Sequence, residues 1–394
     1  MVDTRMRPSA PASRWSAPWR RRRRTWAAGV LLGALALLSS VALPSSSATQ
    51  VTPRAPDLGV STGGPFMWLP DADLERELTA IQSSGVGWLR IDVDWSAIES
   101  TRGRLNWANT DRIVAAAERR GMSVLAIVTY APGWAQVAGV ASGDTHGQPA
   151  DPAQFAAFAR TAASRYANRV AAWEVWNEPN LKSFWAPRPD VAAYTRLLQA
   201  TYPAIKSVVP NTPVISGGLA PAVDASDGSE LSPVSFVRRL YAAGGGRSLD
   251  ALAVHPYSYP AMPTDTSTFA WNTFQRLQLM RDLMVAAGDG GKQIWLTEFG
   301  APTGTSQVSV SEATQAEMIR TGIQMARERS WIGPLFVYNG RDYGTDANNA
   351  EENFGLVHNN YTPKPAFAAV LDAARQTGIP ASGVSIGTAL FLLR

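Results

Sequence analysis

Eight short apolar runs recur along the chain, each followed by a segment whose apolar residues fall at helical spacing. The runs are Leu58–Ser61, Trp88–Val93, Val124–Tyr130, Ala172–Asn177, Pro213–Ser216, Ala251–His255, Gln293–Glu298 and Pro334–Tyr338. They are too continuous for surface strands with one wet face, which suits a parallel sheet buried on both sides. The segments between them carry helix-start signals. Asp151 and Pro152 precede Phe155, Phe158, Ala162 and Tyr166; Ser309 and Glu312 have capping-box spacing; Thr362 and Pro363 precede Phe367, Val370, Leu371 and Ala374. Parallel neighbours need a helical crossover, so eight such units in series predict an α/β fold, a single (β/α)8 TIM barrel over residues 58–377. An open doubly wound sheet is the alternative, but "GVSTGGPF" after the first run does not match its phosphate-binding turn. Segments leaving the strands are long (131–150, 178–189, 217–231, 256–268 and 339–361), whereas returns such as Ser83–Gly85 are brief. In a barrel this pattern predicts long loops on the C-terminal face, where active sites of the fold sit.

Composition changes this picture at one end only. With 394 residues, 45% of them hydrophobic and 17% charged, the chain can bury a large core, and with no cysteine it has no disulfide or thiolate metal site. The net charge of +4 suggests a nucleic-acid partner until its distribution is seen. Residues 1–48 hold eight of the 36 basic residues and one of the 32 acidic ones, which leaves 28 basic against 31 acidic residues elsewhere. No nucleic-acid partner is therefore expected. The same 48 residues have the parts of an export signal: Arg20–Arg24, the uncharged "TWAAGVLLGALALLSSVAL" and the small residues Ser46 and Ala48. Cleavage after about Ala48 is the expectation; an uncleaved membrane anchor is the alternative, since Thr25–Leu43 is nearly long enough to span a bilayer. Either way the protein is expected to be secreted or at the cell surface. Residues 49–57 read as a linker and 378–394 as an apolar tail without an assigned role. Nothing suggests a partner chain, and a monomer is the default.

Two motifs carry candidate chemistry. "WEVWNEPNLKSFW" places Asn177 and Glu178 at the end of the fourth run, and "IWLTEFGAP" delivers Glu298 to the end of the seventh. In a barrel both carboxyls enter one mouth. Such a pair can cleave a glycosidic bond: one donates a proton to the departing oxygen while the other attacks the anomeric carbon, which requires them to stand roughly 5–5.5 Å apart. Arg90 and Tyr257 are candidates to stabilise an ionised Glu298. Arg90 could instead be a structural ion-pair partner of Glu174, and Tyr257 could fill core space. Trp95, Trp134, Trp185, Trp271 and Phe299 could form a sugar platform, whereas Trp173 and Trp295 read as core. His255 ends a strand and could bind a sugar hydroxyl or be a satisfied buried histidine; His146 and His358 are isolated. Asp92, Asp94 and Glu99 form a small acidic group in which Asp92 or Asp94 could reach the mouth, although capping and ion pairing account for it equally. "RDYGTDANNAEEN" is rich in oxygen ligands but lacks the spacing of a calcium loop and reads as solvated. No metal and no cofactor are expected.

These motifs, with "LRIDVDW", "VISGGLAPA", "LAVHPYSYP" and "FGLVHNNYTPKPAFAAV", resemble the clan A glycoside hydrolases over about residues 58–377. The likeness is greatest to family 39 and to related cellulase-like proteins of actinobacteria. The resemblance implies a retaining β-glycoside hydrolase acting on an extracellular polysaccharide or oligosaccharide through two glutamates. Glu178 corresponds to the acid/base, Glu298 to the nucleophile, Asn177 to the asparagine that contacts the sugar 2-hydroxyl, and Tyr257 to the tyrosine that hydrogen-bonds the nucleophile. Two features depart from the pattern. The chain is too short for the added β-sandwich of family 39 xylosidases, and Tyr338, a candidate sugar contact, stands where many clan A enzymes place a tryptophan. A non-catalytic glycan-binding protein on the same scaffold and a transglycosidase are the alternatives.

Overall fold

The computed structural model describes residues 57–376; the export segment, the linker up to residue 56 and the apolar tail lie outside the described residues. Among the described residues the strands are β1 (Leu58–Ser61), β2 (Trp88–Asp94), β3 (Ser123–Thr129), β4 (Ala172–Asn177), β5 (Val214–Gly218), β6 (Ala251–Val254), β7 (Gln293–Phe299) and β8 (Ile332–Tyr338). They form a closed barrel in sequence order, and β8 pairs in parallel with β1. The helices are α1 (Asp71–Ser83), α2 (Trp95–Ile98), α3 (Ala108–Arg119), α4 (Pro152–Arg165), α5 (Val191–Lys206), α6 (Pro233–Ala242), α7 (Thr273–Ala286), α8 (Glu312–Arg327) and α9 (Pro365–Arg375). No described helix is long and apolar enough to cross a membrane.

The cap of α4 is as the sequence predicts: the Asp151 side chain accepts from the Ala153 amide. Two other expected starts are shifted. Ser311, not Ser309, caps α8 by accepting from Thr314, because the Ser309 hydroxyl is already donating to the Thr303 carbonyl. Helix α9 begins after Lys364, not at Thr362 and Pro363; the Thr362 hydroxyl is occupied by Asn360 in the preceding turn. Lys364 is buried and donates to Asp342 at 2.7 Å, while Asp342 also accepts from the Gly355 amide at 2.8 Å. This buried, hydrogen-bonded pair folds the long loop after β8 back over the barrel mouth.

Side chains alternate along each strand, and the barrel interior changes character from bottom to top. At the bottom, Trp88, Leu125, Ala172, Ile215, Ala251, Ala253, Trp295 and Phe336 form an apolar plug. Within it Trp88 meets Trp295 and Phe336 edge-on at centroid distances of 5.7 and 6.1 Å. The next inward positions are polar: Ser61, Arg90, Glu174 and Thr297, all buried. Leu89, Ile91, Val93, Trp173, Val175, Leu252, Val254, Ile294 and Leu296 face the other way, into the larger core beneath the helices. The apolar plug bars water from below, so charged groups on the upper layer open only toward the C-terminal mouth.

Both glutamate-bearing strands break this alternation just before the mouth. In β4, Val175 and Trp176 both enter the helix-side core, which leaves Asn177 facing inward. In β7 the pairing register shifts between Leu296 and Phe299, so Thr297 and Glu298 both face inward. Trp176 and Glu178 take positive φ values of 72° and 45°, a sparsely populated region for such residues that typically costs about 1–3 kcal/mol. Gly217 makes room for the β4 break, since a Cβ there would lie 2.5 Å from the Trp176 carbonyl oxygen.

Candidate active site

The strand ends converge on a cavity of about 440 Å³ whose wall includes Arg90, Asp92, Tyr130, Asn177, Glu178, Tyr257, Tyr259, Glu298, Tyr338, Glu351 and Phe354. Its floor is organised by Arg90, which is 2% exposed. Nε and Nη2 donate to the two oxygens of Glu174 at 2.7 and 3.0 Å; Nη1 donates to Ser61 at 3.0 Å and to Glu298 at 2.6 Å; Nη2 also donates to Asn177 at 3.0 Å. All five guanidinium N–H groups are thereby used. Burial pulls the guanidinium pKa down, but Glu174 and Glu298 together outweigh it and hold the charge more firmly than in water. Glu174, fully buried, also accepts from the Gly218 amide at 2.8 Å.

Glu298 accepts on both oxygens, from Arg90 at 2.6 Å and from the Tyr257 hydroxyl at 2.9 Å. Acceptance from a cation and a phenol is the acceptor-only behaviour of an ionised carboxylate. Glu178 is placed differently. Its neighbour at 2.8 Å is Nδ1 of His255, and burial pushes its carboxyl up to about 8, against a smaller opposing pull from Arg90. His255 is fully buried and pushed down to about 4 by that burial, so the ring is neutral at ordinary pH. Its Nε2 has no hydrogen-bond partner among the described residues. A buried N–H with no acceptor is costlier than a buried lone pair, which assigns the ring proton to Nδ1, donating to Glu178 Oε1. The other Glu178 oxygen is then the one that carries the acid proton.

One donor atom from each of Glu178, His255 and Glu298 lies within 4.8 Å of the others. A metal site and a two-carboxylate site share that geometry. Here the Glu298 oxygens and the histidine Nδ1 are already engaged in hydrogen bonds with Arg90, Tyr257 and Glu178, which suits the group to proton transfer. Two carboxyls this close fit the spacing that double displacement at a sugar carbon requires, whereas the wider inverting arrangement needs about 6.5–9.5 Å.

The family model for cellulase, glycosyl hydrolase family 5, matches residues 51–335. The chain belongs to that family. Its clan, A, also contains the family 39 enzymes that the motifs resemble. No curated protein matches the chain. Among solved structures, a family 39 glycoside hydrolase from Bacteroides cellulosilyticus is similar with a TM-score of 0.64 and 26% identity, over 81% of this chain and 64% of that one. The chain also covers 66% of a family 39 enzyme from Xanthomonas axonopodis, so it spans about two thirds of the length of these two relatives. GH5_18 from Streptomyces cattleya, solved in complex with Manβ1-4GlcNAc, aligns with a TM-score of 0.62 and 19% identity over 83% of this chain and 82% of that one. Xylanase 10B from Thermotoga maritima aligns at 0.56 and 17% over 81% and 95%. These last two likenesses are of fold.

In this family 5 chain the residues expected at the mouth divide into two sets. Glu178, Glu298, Asn177, Arg90, Tyr257 and Tyr338 come together around the cavity. Arg90 satisfies both of its alternatives, as it pairs with Glu174 and holds Glu298; with every donor used on protein it is not a free sugar contact. His255 is also not a sugar contact, because it is fully buried beneath the cavity against Glu178. Trp185 is 1% exposed and packs between Trp176 and Tyr194 at 5.0 and 5.7 Å, so it belongs to the core. Trp134 lies outside the cavity wall, its indole donating to the Glu99 carbonyl with Arg102 over its ring. Trp95 and Phe299 are core as well, and Trp271 is surface-exposed. The rings that do line the cavity include Tyr130, Phe184, Tyr259 and Phe354, which sequence reasoning missed. The position of Tyr259, two residues after Tyr257 on the same loop, was the available signal. Glu351 was hidden in a loop read as solvated.

Arg90→Lys is expected to lower stability by about 3 kcal/mol, the low end for breaking a buried ion pair, because an ammonium cannot serve Glu174, Glu298 and Asn177 together. Denaturant unfolding measures this, and an unchanged midpoint would show that the floor does not depend on the guanidinium fork.

Proposed function

We propose that this chain is a retaining β-glycoside hydrolase acting on an extracellular polysaccharide or oligosaccharide, with Glu178 as acid/base and Glu298 as nucleophile. The observation that carries the reading is the convergence of a neutral, desolvated carboxyl and an Arg- and Tyr-supported carboxylate within 4.8 Å. In the first step a Glu298 oxygen bonds to the anomeric carbon as the bond to the leaving oxygen breaks, and that oxygen takes the Glu178 proton. In the second, Glu178, now a carboxylate, accepts a proton from water as the water oxygen attacks the same carbon. The bond to Glu298 then breaks, and both carboxyls return to their starting states. Water could be replaced by a sugar hydroxyl without changing either protein role.

Linkage class finds support in the similar structures, which include a β-xylosidase from Caulobacter crescentus and the complex with Manβ1-4GlcNAc. Action outside the cell rests on the basic and apolar leader. Asn177, Tyr257 and Tyr338 are the proposed sugar contacts already present in the cavity wall. The test is to incubate purified protein with glucans, xylans, mannans and galactans and follow the newly formed reducing ends by proton NMR. The β-anomer is expected first, with the α-anomer growing only through mutarotation. An initial α product would overturn the double-displacement assignment.

A further inference from the structure

Asp92 is the one carboxylate of the small acidic group on and after β2 that has no structural duty. Asp94 caps α2, accepting from the Ala97 amide and from the Ser96 hydroxyl. Glu99 accepts from the Trp95 indole and the Gly103 amide. Asp92 receives no hydrogen bond from any described residue's donor, although it stands two positions from Arg90 on the same inward face of β2. The reason is arithmetic: Arg90 has five N–H donors, and Glu174, Ser61, Glu298 and Asn177 take all of them. Two residues of strand carry Asp92 about 6–7 Å beyond Arg90 toward the mouth. Its carboxyl thus enters the cavity wall above the level at which Arg90 grips Glu298. The Tyr130 hydroxyl, on the wall of the same cavity, also has no hydrogen-bond partner among the described residues.

Asp92 is half-buried, and a partly desolvated carboxylate that no protein donor serves gains from donors a ligand brings. Consistent with that desolvation, burial raises the Asp92 carboxyl to about 7, even against the pull of Arg90; Asp94, Glu298 and Glu174 push in the same direction as burial. A pyranose whose anomeric carbon lies between Glu178 and Glu298 brings hydroxyl donors into this space, the chemistry the site lacks.

We propose that Asp92 is a specificity-determining residue that accepts hydrogen bonds from ring hydroxyls remote from the anomeric carbon of the sugar seated over Glu298. The inference deepens, and rests on, the glycosidase reading above. Asp92 takes no part in bond making. Sugars that present an equatorial or axial hydroxyl to it are selected, and those lacking one leave it unpaired.

The test is a cycle between the protein and the substrate. Asp92→Ala and Asp92→Asn are assayed on the 4-nitrophenyl β-glycoside that the parent enzyme hydrolyses fastest, and on its 3-deoxy and 4-deoxy counterparts. Asp92→Ala is expected to lower kcat/KM about 10- to 100-fold on the full sugar and less than about threefold on the analogue that lacks the contacted hydroxyl. The asparagine variant, which keeps an acceptor oxygen, recovers part of the loss. Both variants should melt at or above the parent temperature, since a half-buried carboxylate that no protein donor serves has been removed; a structural role would lower it. Equal losses on all three substrates, or no loss on any, overturn the proposal. Glu298→Gln is assayed in parallel: if it hydrolyses at the parent rate the nucleophile assignment fails, whether or not the Asp92 cycle shows coupling.

Discussion

Replacing Glu298 by glutamine is expected to reduce kcat on activated aryl β-glycosides by about 10,000-fold or more, the scale of losing a covalent nucleophile. The substitution preserves shape and leaves an oxygen that can still accept from Tyr257 or Arg90. It removes the carboxylate oxygen that, in the proposed mechanism, bonds to the sugar, and an amide nitrogen now has to face one of the two donors that Glu298 satisfies at 2.6 and 2.9 Å. Some loss of stability accompanies this, because the Arg90 charge retains only Glu174 as a close counter-ion. Binding of substrate should persist, so the effect falls on kcat more than on KM. A variant as fast as the parent would falsify the assignment, since no other described carboxylate shares a hydrogen-bonded contact with both Arg90 and Tyr257.

The second large effect belongs to Glu178→Gln, which should slow hydrolysis of substrates with poor leaving groups by about 100- to 10,000-fold, the usual worth of a positioned general acid. Substrates with good leaving groups need little protonation and should lose much less in the first step. The parent enzyme's kcat/KM should fall above about pH 8, where the raised Glu178 carboxyl ionises, and that alkaline limb should be absent in the variant. Stability provides an independent check. The folded protein keeps the Glu178 proton up to about pH 8, whereas the unfolded chain releases it near 4.5. Across that window the native state binds more protons, so stability declines as pH rises. Glutamine has no proton to lose, and Glu178→Gln should gain melting temperature relative to the parent at pH 8 but not at pH 4. A pH-independent difference would mean that Glu178 is ionised throughout the range.

Much of the fold was legible because it depends on local patterns. Each of the eight apolar runs became a strand within a few residues of its expected bounds, since a strand buried on both faces needs no partner to declare itself. The Asp151 cap was legible for the same reason. Ser309 and Thr362 misled because a side-chain hydroxyl chooses among acceptors, and loop geometry supplied Thr303 and Asn360 instead. The aromatic platform was misread at Trp185 and Trp134 because the path of a long loop decides whether its rings meet a cavity or the core. The loop that follows β4 turns inward, and Trp185 fills the gap between Trp176 and Tyr194.

The chain's own pattern was enough to specify parallel strands closed by helical crossovers, with Asn177, Glu178 and Glu298 at strand ends that must share a mouth. It also supplied Arg90 and Tyr257 as groups able to serve a carboxylate. Tertiary structure alone decided which way those side chains point. A strict two-residue period would send Glu298 away from Thr297 and out of the barrel; the shift in β7 pairing and the positive φ at Trp176 and Glu178 reverse that sense. Tertiary structure likewise decided how firmly Glu178 holds its proton and which donors serve Glu298, because desolvation and the division of five guanidinium donors depend on residues up to 208 positions apart. Backbone direction at a strand end and proton affinity in a closed cavity are set by neighbours in space, and a linear pattern does not record them.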